Sequence, residues 1–364
     1  MFAARGALVF VERHGPSVRC LARRSSGMLV SGRTRRARGY RGAHTDEGDA
    51  MKTRRLGPDG PEISSVGFGS WEAGGDAWGP NESEELVVEA MRAGLDAGMT
   101  WIDTAEVYGN GVSERIVGRA VAGRRDGALV FTKVGPAPEG SGFRPKEVAS
   151  AIRASLGRLG LDHVDLYQLH WPDDTGIPVE ETWGAMVALR EEGLARHVGV
   201  SNFDRALIER CESVGRVDSL QNEFSLLVQD DREKLLPWLA ERGIMYLAYS
   251  PMGAGILTGA MRADAIFPDQ DWRSGRHDPD EEHPELFRPG AFEANVSKAD
   301  RLGEIAARLG TTTAALALAW VLAVSPTTVA IAGSRNPDHA RSNANAGELE
   351  LGADVLAEID SIFT

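Results

Sequence analysis

From Lys52 onward, short apolar runs alternate with stretches in which apolar residues recur every three or four positions. These two periods mark strands and amphipathic helices. Eight runs read as strands: residues 66–68, 100–103, 129–133, 164–170, 197–200, 219–222, 244–249 and 328–331. Between them, helices are expected to begin near Glu82, Ser113, Pro145, Pro178, Asp204, Asp231, Lys298 and Pro337. Pro145 and Pro178 suit a first helical turn, and Gly98, Gly193, Gly243 and Gly310 suit the position just past a last turn. Ahead of the series, residues 52–56 and 62–64 read as a hairpin turning through Gly57-Pro58-Asp59-Gly60.

Eight successive strand-then-helix units, undivided by a break in composition or a long polar linker, favour an α/β (β/α)8 barrel, the TIM barrel, over an open doubly wound sheet. Two segments depart from the rhythm. Residues 260–295 are long and polar, carry Pro268, Pro279, Pro284 and Pro289, and follow the seventh strand. A loop of that length on the face where barrel active sites sit reads as a lid. Residues 1–50 show no sustained period, and through Ala43 their one acid is Glu12. They are expected to be a disordered, Arg-rich leader, and residues 51–364 the barrel domain. A transit peptide has that composition, but the folded pattern starts directly after Met51, which favours Met51 as the true first residue.

Charge sharpens this division. The chain of 364 residues carries a net −13, yet residues 1–50 hold ten Arg and four acids, so the remainder stands at −19. So acidic a surface repels nucleic acids and anionic membranes, and any phosphate-bearing ligand must be held by a local cluster of donors. The longest apolar run, residues 314–324, is far short of a bilayer span. Cys20 and Cys211, the two cysteines, lie far apart with no metal-binding spacing, which fits a reducing, cytoplasmic setting. No oligomeric partner is specified.

Polar residues stand at several strand ends: Asp103, Lys133, His170 and the pair Ser201-Asn202. A parallel barrel brings all of these to one rim. Lys133 at the end of a buried strand needs an anion, and Asp103 is the natural partner. Tyr108, five residues beyond Asp103, can fold back over the pair, where the ammonium is expected to favour its phenolate and bring the phenol toward neutrality as a general acid. His170 can donate a second hydrogen bond to a substrate oxygen. Singly, each has an ordinary explanation as an ion pair, a surface aromatic or a core histidine; their coincidence on successive strands points to catalysis.

The stretch Trp101-Ile-Asp-Thr-Ala-Glu-Val-Tyr-Gly109 with Ser113-Glu114, then Thr132-Lys-Val-Gly135, Asp165-Leu-Tyr-Gln-Leu-His170 and Gly199-Val-Ser-Asn-Phe203, resembles the successive signatures of the aldo-keto reductases. The resemblance runs from Lys52 to about Phe363. It implies an oxidoreductase that reduces a small carbonyl substrate with NADPH, NADH being possible, in which Tyr108 is the proton donor, Lys133 and Asp103 tune it and His170 orients the carbonyl. It further implies that Ser201, Asn202 and Gln221 bind the nicotinamide carboxamide and that Tyr249 stacks on the ring, roles an amide pair and a flat aromatic face suit.

The glycine-rich stretch after the seventh strand, with Ser250, Met252, Gly253 and Gly255, fails the spacing of a dinucleotide fingerprint. Small residues still allow backbone N–H groups to approach a pyrophosphate, the role the resemblance gives it. After the last strand, Gly333, Ser334, Arg335, His339 and Asn343 match the family's adenosine 2′-phosphate and adenine segment, with Arg335 expected to fork onto the phosphate at a helix N-terminus. Ala332 stands where proline is usual there, and His339 where glutamine is usual. Trp71, Trp78 and Trp171 are expected on rim loops facing an uncharged substrate. Some members of the family are channel-associated redox-sensing subunits that retain the same residues, so such a regulatory role is the rival reading; a lyase or isomerase on the same barrel would need other companions for Lys133.

Overall fold

The computed structural model describes residues 51–75, 77–79, 81, 83–268, 271–274 and 284–363. The expected leader, residues 1–50, lies outside the described residues. A hairpin of β1 (Thr53–Arg55) and β2 (Glu62–Ser64) leads into eight further strands: β3 (Val66–Gly69), β4 (Trp101–Asp103), β5 (Leu129–Val134), β6 (Val164–Leu169), β7 (Ala195–Ser201), β8 (Ser219–Glu223), β9 (Met245–Tyr249) and β10 (Thr328–Ile331). These eight pair in parallel and in sequence, and β10 closes on β3 through Ala330 opposite Val66. The TIM barrel expected from the alternation is therefore the fold.

The helices α1 (Glu84–Asp96), α2 (Val112–Val121), α3 (Pro145–Leu159), α4 (Val179–Glu191), α5 (Arg205–Glu212), α6 (Asp231–Lys234) and α7 (Leu236–Arg242) follow successive strands. After β9 come α8 (Pro284–Phe287), α9 (Ala291–Leu309) and α10 (Thr313–Ala323), and after β10 come α11 (Pro337–Asn345) and α12 (Ala353–Phe363). The helix expected near Asp231 is two, because Pro237 sits in the first turn of α7 and has no N–H to carry α6 onward. The helix expected near Lys298 starts seven residues earlier. The Gly290 N–H is capped by Glu293 Oε2 at 2.5 Å, and Phe292, Val296, Ala299 and Leu302 form a buried stripe along it. The C-terminal part of the expected lid is thus helical.

Strand alternation sends Trp101, Phe131, Leu166, Met245, Leu247, Val329 and Ile331 inward, where they form an apolar plug with Leu56 and Ile63 of the hairpin segment. The Trp101 and Phe131 rings stack at 5.0 Å, and the Trp101 indole donates to the Ser64 carbonyl at 2.9 Å. That packing requires glycine at 67, since a Cβ there would come within 2.1 Å of the indole. The larger core lies between strands and helices. In it, α10 is apolar almost all round and buried along most of its length. Among the described residues no single helix is long and apolar enough to cross a membrane; α9 and α10 meet that test only as a pair bent by 92°.

Candidate active site

Above the plug the inward positions turn polar. Lys133, fully buried on β5, donates at 2.6 Å to Asp103 Oδ2, at 3.0 Å to the Thr104 carbonyl and at 3.3 Å to Tyr108 Oη. Three acceptors satisfy the three N–H bonds of the ammonium, the condition under which a buried charge is tolerated. The other oxygen of Asp103 accepts from Gln221 Nε2 at 2.9 Å. Behind Lys133, buried Glu114 accepts from Thr132 Oγ1 at 2.7 Å and from Arg158, adding negative charge that favours the lysine cation. The Tyr108 loop is fixed by Ser113 Oγ, which lies 2.9 Å from Thr104 Oγ1 and 2.7 Å from Ser70 Oγ.

Burial lowers the Lys133 pKa, and the Asp103 carboxylate opposes the fall. The Tyr108 phenol behaves differently from the expectation. Burial and the adjacent Asp103 charge hold its pKa well above 10. The expectation weighed Lys133 alone, but at 2.6 Å its charge is largely neutralised by Asp103, so loss of solvent governs the phenol. Tyr108 is therefore a held proton. Its oxygen already accepts from Lys133, and no acceptor for its own hydrogen exists among the described residues. His170 is driven well below 6.5, by burial and then by Lys133, and is neutral. Its ring lies edge-on to Tyr108 at 5.5 Å and stacks on Trp171 at 3.7 Å.

These groups open into a cavity of about 840 Å³. Asp103, Tyr108 and His170 line it together with the expected Trp71, Trp78 and Trp171. Ser201, Asn202, Gln221 and Tyr249 line it too, but their polar atoms are largely engaged with one another. Ser201 Oγ donates to the Gln221 carbonyl at 2.8 Å, Asn202 Nδ2 to the His170 carbonyl at 3.0 Å, and Tyr249 Oη to Asn202 Oδ1 at 2.9 Å. Beyond Tyr249 the backbone winds through positive φ at Ser250, Gly253, Ala254 and Gly255. Ser250, Met252 and Gly255 line the cavity, whereas Gly253 is buried and does not. On the far side lie Gly333, Ser334, His339 and Asn343. Gly333 sits where a Cβ would meet the Gly69 carbonyl at 2.6 Å.

A family model described as the Aldo/keto reductase family matches residues 65–363. The chain belongs to that family. It is 32% identical over 320 residues to the aldo-keto reductase YhdN of Bacillus subtilis, covering 86% of this chain and 94% of that protein. It is 28% identical over 332 residues to the NADH-specific methylglyoxal reductase of Escherichia coli, covering 83% and 95%. Among solved structures it is similar to the glycerol dehydrogenase AKR11B4 from Gluconobacter oxydans, with a TM-score of 0.75, 31% identity and coverage of 86% and 94%. It is also similar to an aldo-keto reductase from Klebsiella pneumoniae in complex with NADPH, with a TM-score of 0.69, 30% identity and coverage of 86% and 95%.

Two features of this aldo/keto reductase were not foreseen. The cavity is also lined by Glu72, Trp272, Arg273, Thr312 and Ser342. Trp272 and Arg273 lie in the polar lid, where an aromatic beside an arginine was the available signal. The Arg273 guanidinium pairs with Asp271 at 2.6 Å and lies 4.7 Å over the Trp78 ring. The second feature concerns Arg335. Arg335, expected to fork onto a phosphate, is not among the cavity-lining residues. Its guanidinium is spent on the carbonyls of Glu72, Trp78 and Gly79, because the loop after β3 folds directly over it.

Proposed function

We propose that this chain reduces a small, uncharged aldehyde or ketone to an alcohol using NADPH, with NADH accepted as a second donor. The observation that carries the reading is the Tyr108 phenol: it accepts from a buried lysine, retains its proton and faces a cavity beside a neutral histidine. When bound, the nicotinamide cofactor supplies the hydride for the substrate carbonyl carbon. The residues fit such a group. Ser250, Met252, Ala254 and Gly255 on one wall and Gly333 and Ser334 on another present small or flexible residues to the cavity, and the Tyr249 ring forms a flat wall. The NADPH complex of the Klebsiella relative and the NADH specificity of the E. coli relative support both donors.

Tyr108 and His170 would each donate a hydrogen bond to the substrate oxygen, polarising the carbonyl. As that oxygen gains negative charge it becomes a far stronger base than a phenolate and takes the Tyr108 proton. Lys133, held by Asp103, stabilises the phenolate that remains. The high phenol pKa suits this order of events, because the proton stays on Tyr108 until the strong base forms. Trp71, Trp78, Trp171 and Trp272 would wall the substrate, and residues 1–50 would take no part. The test pairs two proteins. Wild type oxidises NADPH when given an uncharged aldehyde, and Tyr108→Phe binds NADPH but does not. Tight cofactor binding without turnover of any aldehyde, ketone or sugar in a broad panel would favour the redox-sensing subunit instead.

A further inference from the structure

Residues Glu72 and Gly79 lie seven positions apart, yet their carbonyls converge on one side chain. Arg335 Nη2 donates at 2.7 Å to Glu72 O, at 2.9 Å to Gly79 O and at 3.3 Å to Trp78 O, and Nε adds a contact to Glu72 O at 3.0 Å. A guanidinium is a rigid planar fork, so it can hold both ends of a loop in one plane. The loop so held bears Trp71 and Trp78. Trp71 stacks on Trp272 of the lid at 5.8 Å, and the Trp78 ring meets those of Trp71 and Trp272 edge-on at 5.2 and 5.6 Å. Backbone contacts add to this: Trp78 bridges Asp271, and the Trp272 N–H donates to the Ala77 carbonyl at 3.1 Å. Arg335 is thus a principal anchor of the loop and the lid segment that contribute three of the four tryptophan walls, alongside Arg273 over the Trp78 ring and Asn81 Nδ2 on the Ala73 carbonyl.

A second observation concerns Glu72. Glu72 lines the cavity, and its Oε2 lies 3.6 Å from where a Cβ on Gly333 would be. An acidic side chain, whose pKa is raised by burial against the opposing charges of Arg335 and Arg273, stands at the glycine turn from which the arginine was expected to greet a phosphate. We propose that Arg335 is a positioning residue of the carbonyl pocket: it clasps the loop bearing Trp71 and Trp78, and so selects for flat aromatic carbonyls, instead of reading the cofactor's 2′-phosphate. This rests on the proposed carbonyl-reductase function.

The test compares Arg335→Ala and Arg335→Lys with wild type. Three quantities are measured: KM and kcat for a benzaldehyde and for a three-carbon aldehyde, Kd for NADPH and for NADH by tryptophan fluorescence, and amide hydrogen exchange of the loop after β3 in the cofactor-free protein. The alanine variant is expected to raise KM for benzaldehyde about tenfold, with kcat and the small aldehyde changed less than about threefold. Loop exchange should quicken, and both cofactors should be affected alike. Lysine can reach one carbonyl but cannot span two, so it should follow alanine; as a phosphate ligand it would instead retain NADPH affinity. A selective loss of NADPH affinity of tenfold or more in Arg335→Ala, restored in Arg335→Lys and with loop exchange unchanged, would overturn the proposal. If wild type turns over no carbonyl, the function fails while hydrogen exchange and the two Kd values still decide the clasp. If Arg335→Ala does not fold, the lysine variant carries the same comparison.

Discussion

The two ends of the barrel use the same chemistry to opposite effect. At the N-terminal ends of the strands, Asp165 and Asp218 are buried carboxylates, as Asp103 is at the other end. Asp165 accepts from the Val130 N–H at 2.7 Å and pairs with Arg125 at 2.5 Å. Asp218 accepts from the Val198 N–H at 3.1 Å and pairs with Arg216 at 3.2 Å, with His197 and Arg190 at 3.5 and 3.8 Å. The hairpin and the apolar plug seal that end. At the C-terminal end, Asp103 and Lys133 are as fully paired, but the network terminates on a phenol whose remaining donor faces a cavity. A buried ion pair is thus no mark of a site by itself. What distinguishes the C-terminal end is one phenol, Tyr108, that lines the cavity with its proton held.

The comparison breaks most visibly at Tyr108. Tyr108→Phe is expected to lower kcat by about 10²–10⁴-fold, the range for loss of a general acid, with Tm unchanged; near wild-type turnover would remove Tyr108 from the mechanism. At the sealed end the effect should move from rate to stability. Asp218→Ala strips an acceptor from the Val198 N–H and from its cationic partners. A loss of about 2–3 kcal/mol follows for hydrogen bonds involving a charged group, read as a fall in Tm, with kcat per folded molecule retained.

A finer test uses pH. His170 is neutral when folded because its pKa is depressed below that of the unfolded chain. Below about pH 6.5 the unfolded state takes up a proton that the folded state refuses, so stability falls as pH drops, by up to about 1.4 kcal/mol per pH unit for one such group. His170→Gln should flatten that slope in urea titrations between pH 4.5 and 7. An unchanged slope would mean the imidazole is not held neutral. Smallest of all, deletion of residues 1–50 is expected to leave both Tm and activity within error, since no periodic apolar face is available in them to pack. A markedly lower Tm would give the leader a structural role.

The alternation of strand and helix was legible because the two periods are properties of the local chain. Strand β10 falls where its apolar run predicts, β4 ends at Asp103 as expected, and β5 and β7 each run one residue further than expected, to Val134 and Ser201. Helix α12 escaped notice because no strand directly precedes it, α11 having already completed the eighth unit, and the start of α9 was hidden by the prolines and charges before it. Pairwise reasoning found the Lys133–Asp103 contact but reversed the shift of Tyr108, since desolvation is a property of the whole surround. The contacts of Arg335 were not legible for a related reason. Its acceptors lie more than 250 positions away, and they are backbone oxygens, which no side-chain pattern announces.

Asn202, held at a φ of 61°, ties together the ends of four neighbouring strands. It directly follows β7, its N–H reaches the Gln221 carbonyl of β8, its amide nitrogen reaches the carbonyl after β6, and its amide oxygen takes the Tyr249 hydroxyl of β9. Half of the rim is therefore joined by a single short side chain, while on the opposite half the Tyr108 loop is held by Ser113 and the loop after β3 by Arg335. The tryptophan-bearing loops can therefore be altered without touching that seam. A search for new substrates should accordingly diversify the segments around Trp71, Trp78 and Trp272, and leave the seam at Asn202 untouched.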